Sequence, residues 1–173
     1  MIQKLIQLNQ PYFHLVGSGK SEFQRSFLTN ESFECESTVI KRIAGCNCVT
    51  MDGLFTEFSK ELQFPDYFGN NWPAFDECLN DLDWLSGEAY LLLIEDVDQV
   101  LITSDRSFKI FINILKCSVD EWTEGRNYNS FPTPPTPFHI VFQCSVEKVN
   151  AVKERLEVAG LNNVNIINID AAG

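Results

Sequence analysis

The stretch Phe64–Glu95, FPDYFGNNWPAFDECLNDLDWLSGEAYLLLIE, combines a turn, a helical pattern and an apolar run. Asn71 is a suitable helix-capping residue, and Pro73 is tolerated in a first helical turn. From Trp72 to Leu85 apolar residues recur at the spacing of an amphipathic helix. The run Ala89–Glu95 is apolar on both faces, as in an inner strand covered by helices. The stretch therefore predicts a loop, a capped helix and a buried strand.

Strands and helices alternate along the rest of the chain. Four further runs rich in apolar and β-branched residues predict strands: Tyr12–Val16, Ser37–Ile43, Phe138–Gln143 and Val164–Ile169. Other helical patterns begin after Thr50, at a Ser104 or Asp105 cap, and after Ser145. This alternation predicts an α/β fold with a mostly parallel β-sheet and covering helices.

Negative charge is concentrated in one part of the chain. The 173 residues include 24 acids and 13 bases, a net charge of −11. From Glu61 to Asp105 there are eleven acids and no Lys or Arg, and the rest of the chain is neutral. A nucleic-acid backbone would be repelled by such a segment, whereas a basic protein would be attracted to it. The distribution therefore predicts a basic protein partner and excludes nucleic acid.

The sequence also indicates the compartment. No apolar run is long enough to span a membrane, and the N-terminus lacks the pattern of a secretory signal. Six cysteines occur without a C-x-x-C pair. Cys78, Cys117 and Cys144 fall within apolar helical or strand patterns, so we expect reduced and mostly buried thiols. These features predict a cytoplasmic protein that does not bind membranes.

Catalysis and metal binding are not expected. Adjacent helical residues such as Asp76 and Glu77 point about 100° apart and do not face each other as an acid–base pair. His14 and His139 lie in apolar strands, which favours structural histidines. The segment Glu95–Asp98 lacks the remainder of a calcium-binding loop, so we interpret it as the polar end of a strand. We expect no cofactor.

The helix predicted at Trp72–Leu85 has a strongly acidic side. Its apolar side comprises Trp72, Phe75, Cys78, Leu79, Leu82 and Leu85. The opposite side comprises Asp76, Asn80 and Asp83, with Glu77 and Asp81 on the flank. No lysine is mixed with these acids, so the side is either a solvated face or a surface for a basic partner. Further surface acids are expected to promote solubility: Asp81, Asp83, Glu88 and Asp98.

The segment Pro65–Leu79, PDYFGNNWPAFDECL, resembles the signature of the barstar-like ribonuclease inhibitors. In that family a Pro-acid-aromatic-aromatic-Gly-x-Asn loop leads into a helix that carries acid-Cys-Leu. The resemblance covers about Glu36 to Cys144. It implies a barstar-like domain at 36–144, an N-terminal extension at 1–35 packed on this core, and a C-terminal helix–strand extension at 145–173. Together these would form one compact domain.

The resemblance implies that the protein blocks the active site of a basic ribonuclease or related toxin domain. The implied partner-binding residues are Tyr67, Phe68, Gly69, Asn70, Asn71, Trp72, Asp76, Glu77 and Asn80. Glu77 matches the acid before the Cys-Leu pair, which is the family's central substitute for a phosphate. A further acid from the later helix, Asp120 or Glu121, is expected to contribute. The implied function is that of an immunity protein against a cognate toxin.

The sequence also departs from the family pattern. Pro73 stands where the family often has an aspartate that faces the enzyme, and Asp76 stands where an aromatic residue is found. Two acids remain, but they are neighbours in sequence rather than one helical turn apart. The alternative hypothesis is therefore an acidic interaction module of the same shape whose partner is not a ribonuclease.

Overall fold

A computed structural model describes residues 5–28, 37–127 and 132–169 of the chain. The strands are β1 (Phe13–Gly17), β2 (Thr38–Ala44), β3 (Ala89–Glu95), β4 (Phe138–Cys144) and β5 (Val164–Ile167). The helices are α1 (Lys20–Leu28), α2 (Met51–Glu61), α3 (Trp72–Asp81), α4 (Asp105–Glu124) and α5 (Val149–Val158). All paired strands are parallel, in the order β2-β3-β4-β1-β5. The predicted α/β fold with a parallel sheet is confirmed.

The hydrophobic core lies on both faces of the sheet. Every residue of β3 and β4 is buried, as the apolar pattern predicted. Leu92 and its neighbour Ile140 belong to the larger cluster, which also includes residues of α2 to α5. Leu93 and Val141 belong to the smaller cluster, which includes the buried residues of α1. The helix α1 therefore covers the face opposite to the other four helices.

The N-terminal segment contributes an inner strand and one helix. The strand β1 pairs with β4 on one side and β5 on the other. The helix α1 was not among the predicted helices, because only Phe23 and Phe27, one turn apart, mark its buried face. Their rings pack with centroids 4.7 Å apart.

The helix α3 is shorter than predicted. It ends at Asp81, and Leu82 follows in a left-handed conformation with φ of 48°. The side chain of Leu82 is fully buried, and the indole of Trp84 donates a 2.8 Å hydrogen bond to the carbonyl of Leu62. Because these two contacts turn the chain toward α2, Asp83 and Leu85 do not continue the helical face. Their predicted helical placement was wrong.

The other predicted helix starts differ in detail. Thr50 caps α2 by accepting from the Gly53 amide, and Ser104 rather than Asp105 caps α4 by accepting from the Ser107 amide. Ser145 does not cap a helix with its side chain, because its hydroxyl donates to the Glu147 carboxylate at 2.7 Å. A short 3-10 turn, Val146–Lys148, separates it from α5.

Cysteines and histidines follow the predictions except that Cys46 and Cys117 are exposed. The five described cysteines are free thiols, and Cys48, Cys78 and Cys144 are buried. Cys117, however, is exposed, because it lies on the outward side of α4. Cys35 lies outside the described residues. Both His14 and His139 are buried, as expected of structural histidines.

Candidate protein-binding surface

The loop before α3 presents one aromatic ring and buries the next. Tyr67 is 70% exposed, whereas Phe68 is 9% exposed. The Phe68 ring packs edge-on against Phe55 and Phe64, with centroids 5.9 and 5.0 Å away. Phe68 therefore anchors the loop from inside, and its predicted role as a contact residue does not fit its burial. The exposed ring of Tyr67 is free to meet a partner.

Asn71 holds the loop in a fixed shape. Its side-chain oxygen accepts from the Ala74 amide at 2.9 Å and so caps α3, as predicted. Its amide nitrogen donates to the carbonyl of Gly69 at 3.1 Å. A Cβ on Gly69 would lie 2.9 Å from that nitrogen, so a larger residue here would displace the Asn71 amide. Asn70 adopts a φ of 51°, a conformation that asparagine tolerates better than most residues.

Trp72, the first residue of α3, is half-buried and links the loop to the core. Its ring lies edge-on to Phe55 and Phe75, with centroids 5.0 and 6.0 Å away. One part of the indole therefore supports the helix while the remainder borders the surface.

The three polar residues predicted on α3 are not equivalent. Glu77 is exposed and Asp76 is half-buried. Asn80 is only 8% exposed, and its side-chain amide donates a 3.2 Å hydrogen bond to Asp76. Asn80 therefore lies beneath Asp76 rather than beside it on the open surface, which corrects its predicted position. The i, i+4 spacing of this pair was visible in the sequence, whereas the burial of Asn80 was not.

The helix α4 brings further acids next to α3. The two helices are joined by a 3.1 Å hydrogen bond from the Trp122 indole to the Leu79 carbonyl. The pKa of the exposed Cys117 thiol on α4 is raised by partial burial and then by Asp76, Asp120 and Glu121. Charges from both helices therefore act on this one thiol, an effect that sequence spacing did not reveal.

The two candidate acids of α4 have different surroundings. Asp120 is exposed and forms no ion pair with any described residue. Glu121 lies 3.8 Å from the guanidinium of Arg126, whose carbon sits 4.7 Å from the centre of the Trp122 ring. Of the two alternatives, Asp120 is the one whose charge is not offset by a neighbouring base.

In the Glu61–Asp105 window, five acids outside the loop and α3 form ion pairs with bases. The acids of the Glu61–Asp105 window that form ion pairs are Glu61, Glu95, Asp96, Asp98 and Asp105. Asp98, for example, lies 2.6 Å from Lys148, so it does more than promote solubility. Within the described ranges, Asp76, Glu77, Asp81 and Asp83 have no basic ion-pair partner.

The unpaired acids extend to Tyr67 and beyond the end of α3. The pKa of the Tyr67 phenol is raised by desolvation and then by the nearby Asp81, Cys78, Glu77 and Asp83. The pKa of Asp81 is raised by partial burial and by the charge of Asp83. Asp81 and Asp83 were expected to promote solubility, but their charges also act on the exposed tyrosine. We call the set Tyr67, Asp76, Glu77, Asp81, Asp83 and Asp120 the acidic surface.

The described residues contain neither a candidate metal site nor a candidate membrane-spanning helix. No group of three or more His, Cys, Asp or Glu residues in ranges 5–28, 37–127 and 132–169 could hold a metal ion. Across the same ranges, none of the helices has the length and apolar character needed to cross a membrane. The Glu95–Asp98 segment is engaged in ion pairs with Arg42, Lys20 and Lys148.

Comparison with solved structures gives distant similarity. One, a structure of Drosophila ORC bound to GC-rich DNA and Cdc6, is 11% identical with a TM-score of 0.48, covering 91% of this chain and 49% of the other. A second, with AT-rich DNA, is 11% identical with a TM-score of 0.47, covering 90% and 48%. The chain thus spans about half the length of the chains it matches. Similarity at this level defines neither fold nor function.

The sequence comparison is more informative. No curated protein shows a significant match to the chain. The family model described as barstar, the barnase inhibitor, matches residues 39–143, which is more than half of the chain. This range contains β3 and all but one residue each of β2 and β4, together with the loop, α3 and α4 that form the acidic surface. The chain therefore belongs to the barstar family.

Proposed function

We propose that this protein inhibits a basic ribonuclease by inserting the acidic surface and the loop Tyr67–Asn71 into the enzyme's active site. The observation that carries the proposal is the unpaired state of the acids on and next to α3. Five other acids of the same sequence window are paired with bases, whereas Asp76, Glu77, Asp81 and Asp83, like Asp66 and Glu88, have no ion-pair partner among the described residues.

The chemistry of a ribonuclease suits such a surface. An enzyme that cleaves RNA stabilises phosphate charge with Lys, Arg and His, so its cleft attracts carboxylates. Complementary charge accelerates association, and charge pairs buried in the complex slow dissociation. Glu77 is the exposed carboxylate at the centre of α3, which suits it to the position of a phosphate.

The rigidity of the loop also supports inhibition. The side chain of Asn71 accepts a hydrogen bond from the Ala74 amide and donates one to the Gly69 carbonyl. The ring of Phe68 packs against the core and holds the loop in place. A surface that is already ordered loses less conformational entropy when it binds. The loop therefore favours tight binding with little rearrangement.

The family and the acidic surface together favour an immunity protein whose partner is a cognate toxin with ribonuclease activity. One observation favours the alternative, an acidic module for a different protein. Asp76 and Glu77 point about 100° apart on α3, and Asp76 is bonded to Asn80, so the two carboxylates do not converge on one small cleft. The partner must then present basic groups on both sides of α3.

The proposal is tested with a panel of basic microbial ribonucleases that includes any toxin encoded beside the gene. Inhibition of RNA cleavage and affinity are measured at low and high salt. We expect tight binding that weakens with salt and abolishes cleavage by at least one enzyme. Glu154→Gln on α5 is the control for loss of one charge, because Glu154 is exposed and distant from α3 in the chain order. Absence of inhibition throughout the panel would support the alternative.

A further inference from the structure

The turn between β1 and α1 has the sequence of part of a phosphate-binding loop. Residues 17–21, GSGKS, begin at the last residue of β1 and end in the first turn of α1. We call them the GSGKS turn. A strand, a glycine turn and Gly-Lys-Ser at a helix start match the end of the loop G-x-x-x-x-G-K-[ST], whose amides hold phosphate. His14 stands in place of the first glycine and is buried within β1, so only the part of the loop that opens the helix is present.

The first amides of α1 are accessible to a ligand. Amides of a first helical turn have no acceptor within the helix, and Gly19, which precedes α1, has no side chain to cap them. Gly19 is exposed, and a Cβ built on it would meet no atom within 4 Å in the part of the chain that the structure describes. Lys20 and Ser21 are also exposed. A phosphate can therefore approach this turn from solvent.

A buried hydroxyl without a partner lies in the same turn. Ser18 is 1% exposed, and its Oγ has no hydrogen-bond partner among the described residues. Its amide donates to the Cys144 carbonyl, and its carbonyl accepts from the Gln143 side chain, so the contact with β4 continues through Ser18. The alternation of side chains places Ser18 on the face of Val16, which α1 covers. The unpaired hydroxyl is thus a further donor beneath the start of α1.

The GSGKS turn also lies where the connections of the sheet diverge. The strands β1 and β4 are neighbours. After β1 the chain continues into α1 on one face, whereas after β4 it continues into α5 on the other face. In open parallel sheets, ligands bind in the crevice at the carboxyl ends of two such strands. Topology and local sequence therefore indicate the same place.

In the free protein an acid pairs with the lysine of this turn. The Lys20 ammonium contacts the carboxylate of Asp96, which directly follows β3. A polyphosphate alone would be repelled by Asp96 and by the buried Glu95. Magnesium removes this repulsion, because it is commonly bound by one or two carboxylates together with phosphate oxygens. Since no group of three His, Cys, Asp or Glu residues in the described ranges could hold a metal, phosphate must supply the other ligands.

We propose that the GSGKS turn binds the magnesium complex of a polyphosphate group, such as that of a nucleoside triphosphate. The first amides of α1 and the Lys20 ammonium contact the phosphates. The Ser21 hydroxyl and the Asp96 carboxylate, released from Lys20, contact the magnesium ion. The site uses none of the residues of the acidic surface, so it goes beyond the proposed function and does not depend on it.

The first test is calorimetric titration of the protein with ATP, GTP and tripolyphosphate, each with magnesium and each with excess EDTA. Adenosine is the control without phosphate. We expect saturable binding of the magnesium complexes and affinities lower by about tenfold or more in EDTA. Equal affinities for the three would assign the site to the phosphate chain alone, and a preference for one nucleotide would add contacts with its base. Absence of saturable binding, or adenosine binding as tightly as ATP, would overturn the inference.

Two substitutions locate the site. Lys20→Ala removes a charged donor to phosphate, so we expect magnesium–ATP to bind about tenfold or more weakly. Lys153→Ala is the matched control, because the Lys153 side chain is 47% exposed against 46% for Lys20 and is also paired with an acid. Gly19→Ala should fold normally, since its Cβ meets no described atom, but its methyl group hinders the phosphate. Wild-type affinity in both Lys20→Ala and Gly19→Ala would overturn the assignment.

Asp96→Asn distinguishes a role in metal binding from a structural role. Asp96 has a φ of 45°, a conformation that asparagine also tolerates. Because the substitution frees Lys20, we expect ATP in EDTA to bind more tightly than it does to the wild-type protein, and magnesium to lose its effect. Weaker binding by the same factor with and without magnesium would contradict this role. Inhibition of a ribonuclease should be unchanged in Lys20→Ala, so either proposal can fail alone.

Discussion

The indole of Trp122 on α4 donates a 3.1 Å hydrogen bond to the main-chain carbonyl of Leu79 on α3. Leu79 lies in the last turn of α3, where carbonyl groups have no partner within the helix. The bond satisfies one of these carbonyls and also fixes α3 against α4. Because α3 carries Asp76 and Glu77, this contact contributes to the position of these two acids relative to α4.

Removal of this bond should lower both stability and inhibition. Trp122→Phe keeps an aromatic ring but leaves the buried Leu79 carbonyl unsatisfied, so we expect the free energy of unfolding to fall by about 1–3 kcal/mol. Urea denaturation measures this loss. An unchanged unfolding midpoint would show that the bond does not stabilise the contact between the helices.

Asn71→Ala should separate the effect of loop order from that of general stability. The substitution removes the cap of α3 and the bond to Gly69, and such a cap contributes about 1 kcal/mol. We expect lower stability together with weaker binding to the ribonuclease. Ser104→Ala is the matched control, because it removes the cap of α4 at a helix end outside the acidic surface. Equal losses of affinity in both variants would contradict the role assigned to the loop.

Asp81→Asn should stabilise the free protein and slow association. The pKa of Asp81 is raised by partial burial and by Asp83, so its charge is unfavourable in the folded state. We expect the free energy of unfolding to rise by about 0.5 kcal/mol, since the residue is partly solvent-screened. Asp52→Asn is the comparison, because Asp52 lies in the first turn of α2, where a negative charge is favourable. A loss of stability in Asp81→Asn would contradict the account.

The histidine pair predicts a specific pH dependence. The ring of His139 contacts the Gln7 carbonyl with Nε2 and the Nε2 atom of His14 with Nδ1. Since the carbonyl requires a donor, His139 carries its proton on Nε2 and its Nδ1 accepts from His14 Nε2–H, which requires His139 to be neutral. Burial, followed by His139, lowers the pKa of His14 to about 4.

The unfolded chain, with a histidine pKa near 6.5, therefore binds more protons than the folded protein below that pH. The stability that depends on a neutral His14 ring is fully present above pH 6.5 and is lost as the pH falls toward about 4. Between pH 7 and pH 5 we expect a loss of about 1–2 kcal/mol. Urea titrations at each pH measure it, and His14→Asn should flatten the profile. A flat profile in the wild-type protein would contradict this assignment.

The sequence predicted the inner parts of the fold well and the ends of the elements less well. Ala89–Glu95 was predicted to the residue, because a buried parallel strand is apolar throughout. The end of α3 was missed, because Leu82 keeps the helical spacing although it is the residue that leaves the helix. Contacts of Leu82 and Trp84 with other elements decide this end, and helical periodicity does not record them.

The candidate surface also combines features that local sequence predicts with features that depend on the packing of distant segments. The acids of α3 and the Asn71 cap follow from local sequence, since charge and capping depend on neighbouring residues. The burial of Asn80 and the approach of Asp120 depend on how α3 packs against α4, which no local pattern specifies. The pairing of Asp98 with Lys148 likewise joins residues that are distant in sequence.

The central claim is that the acidic surface occupies the active site of a ribonuclease. The most direct measurement is binding of the protein to an inhibited ribonuclease whose active site is already filled by a mononucleotide. We expect the two ligands to exclude each other, so that the apparent affinity of the protein falls in proportion to nucleotide occupancy. A ternary complex with unchanged affinity would contradict the claim.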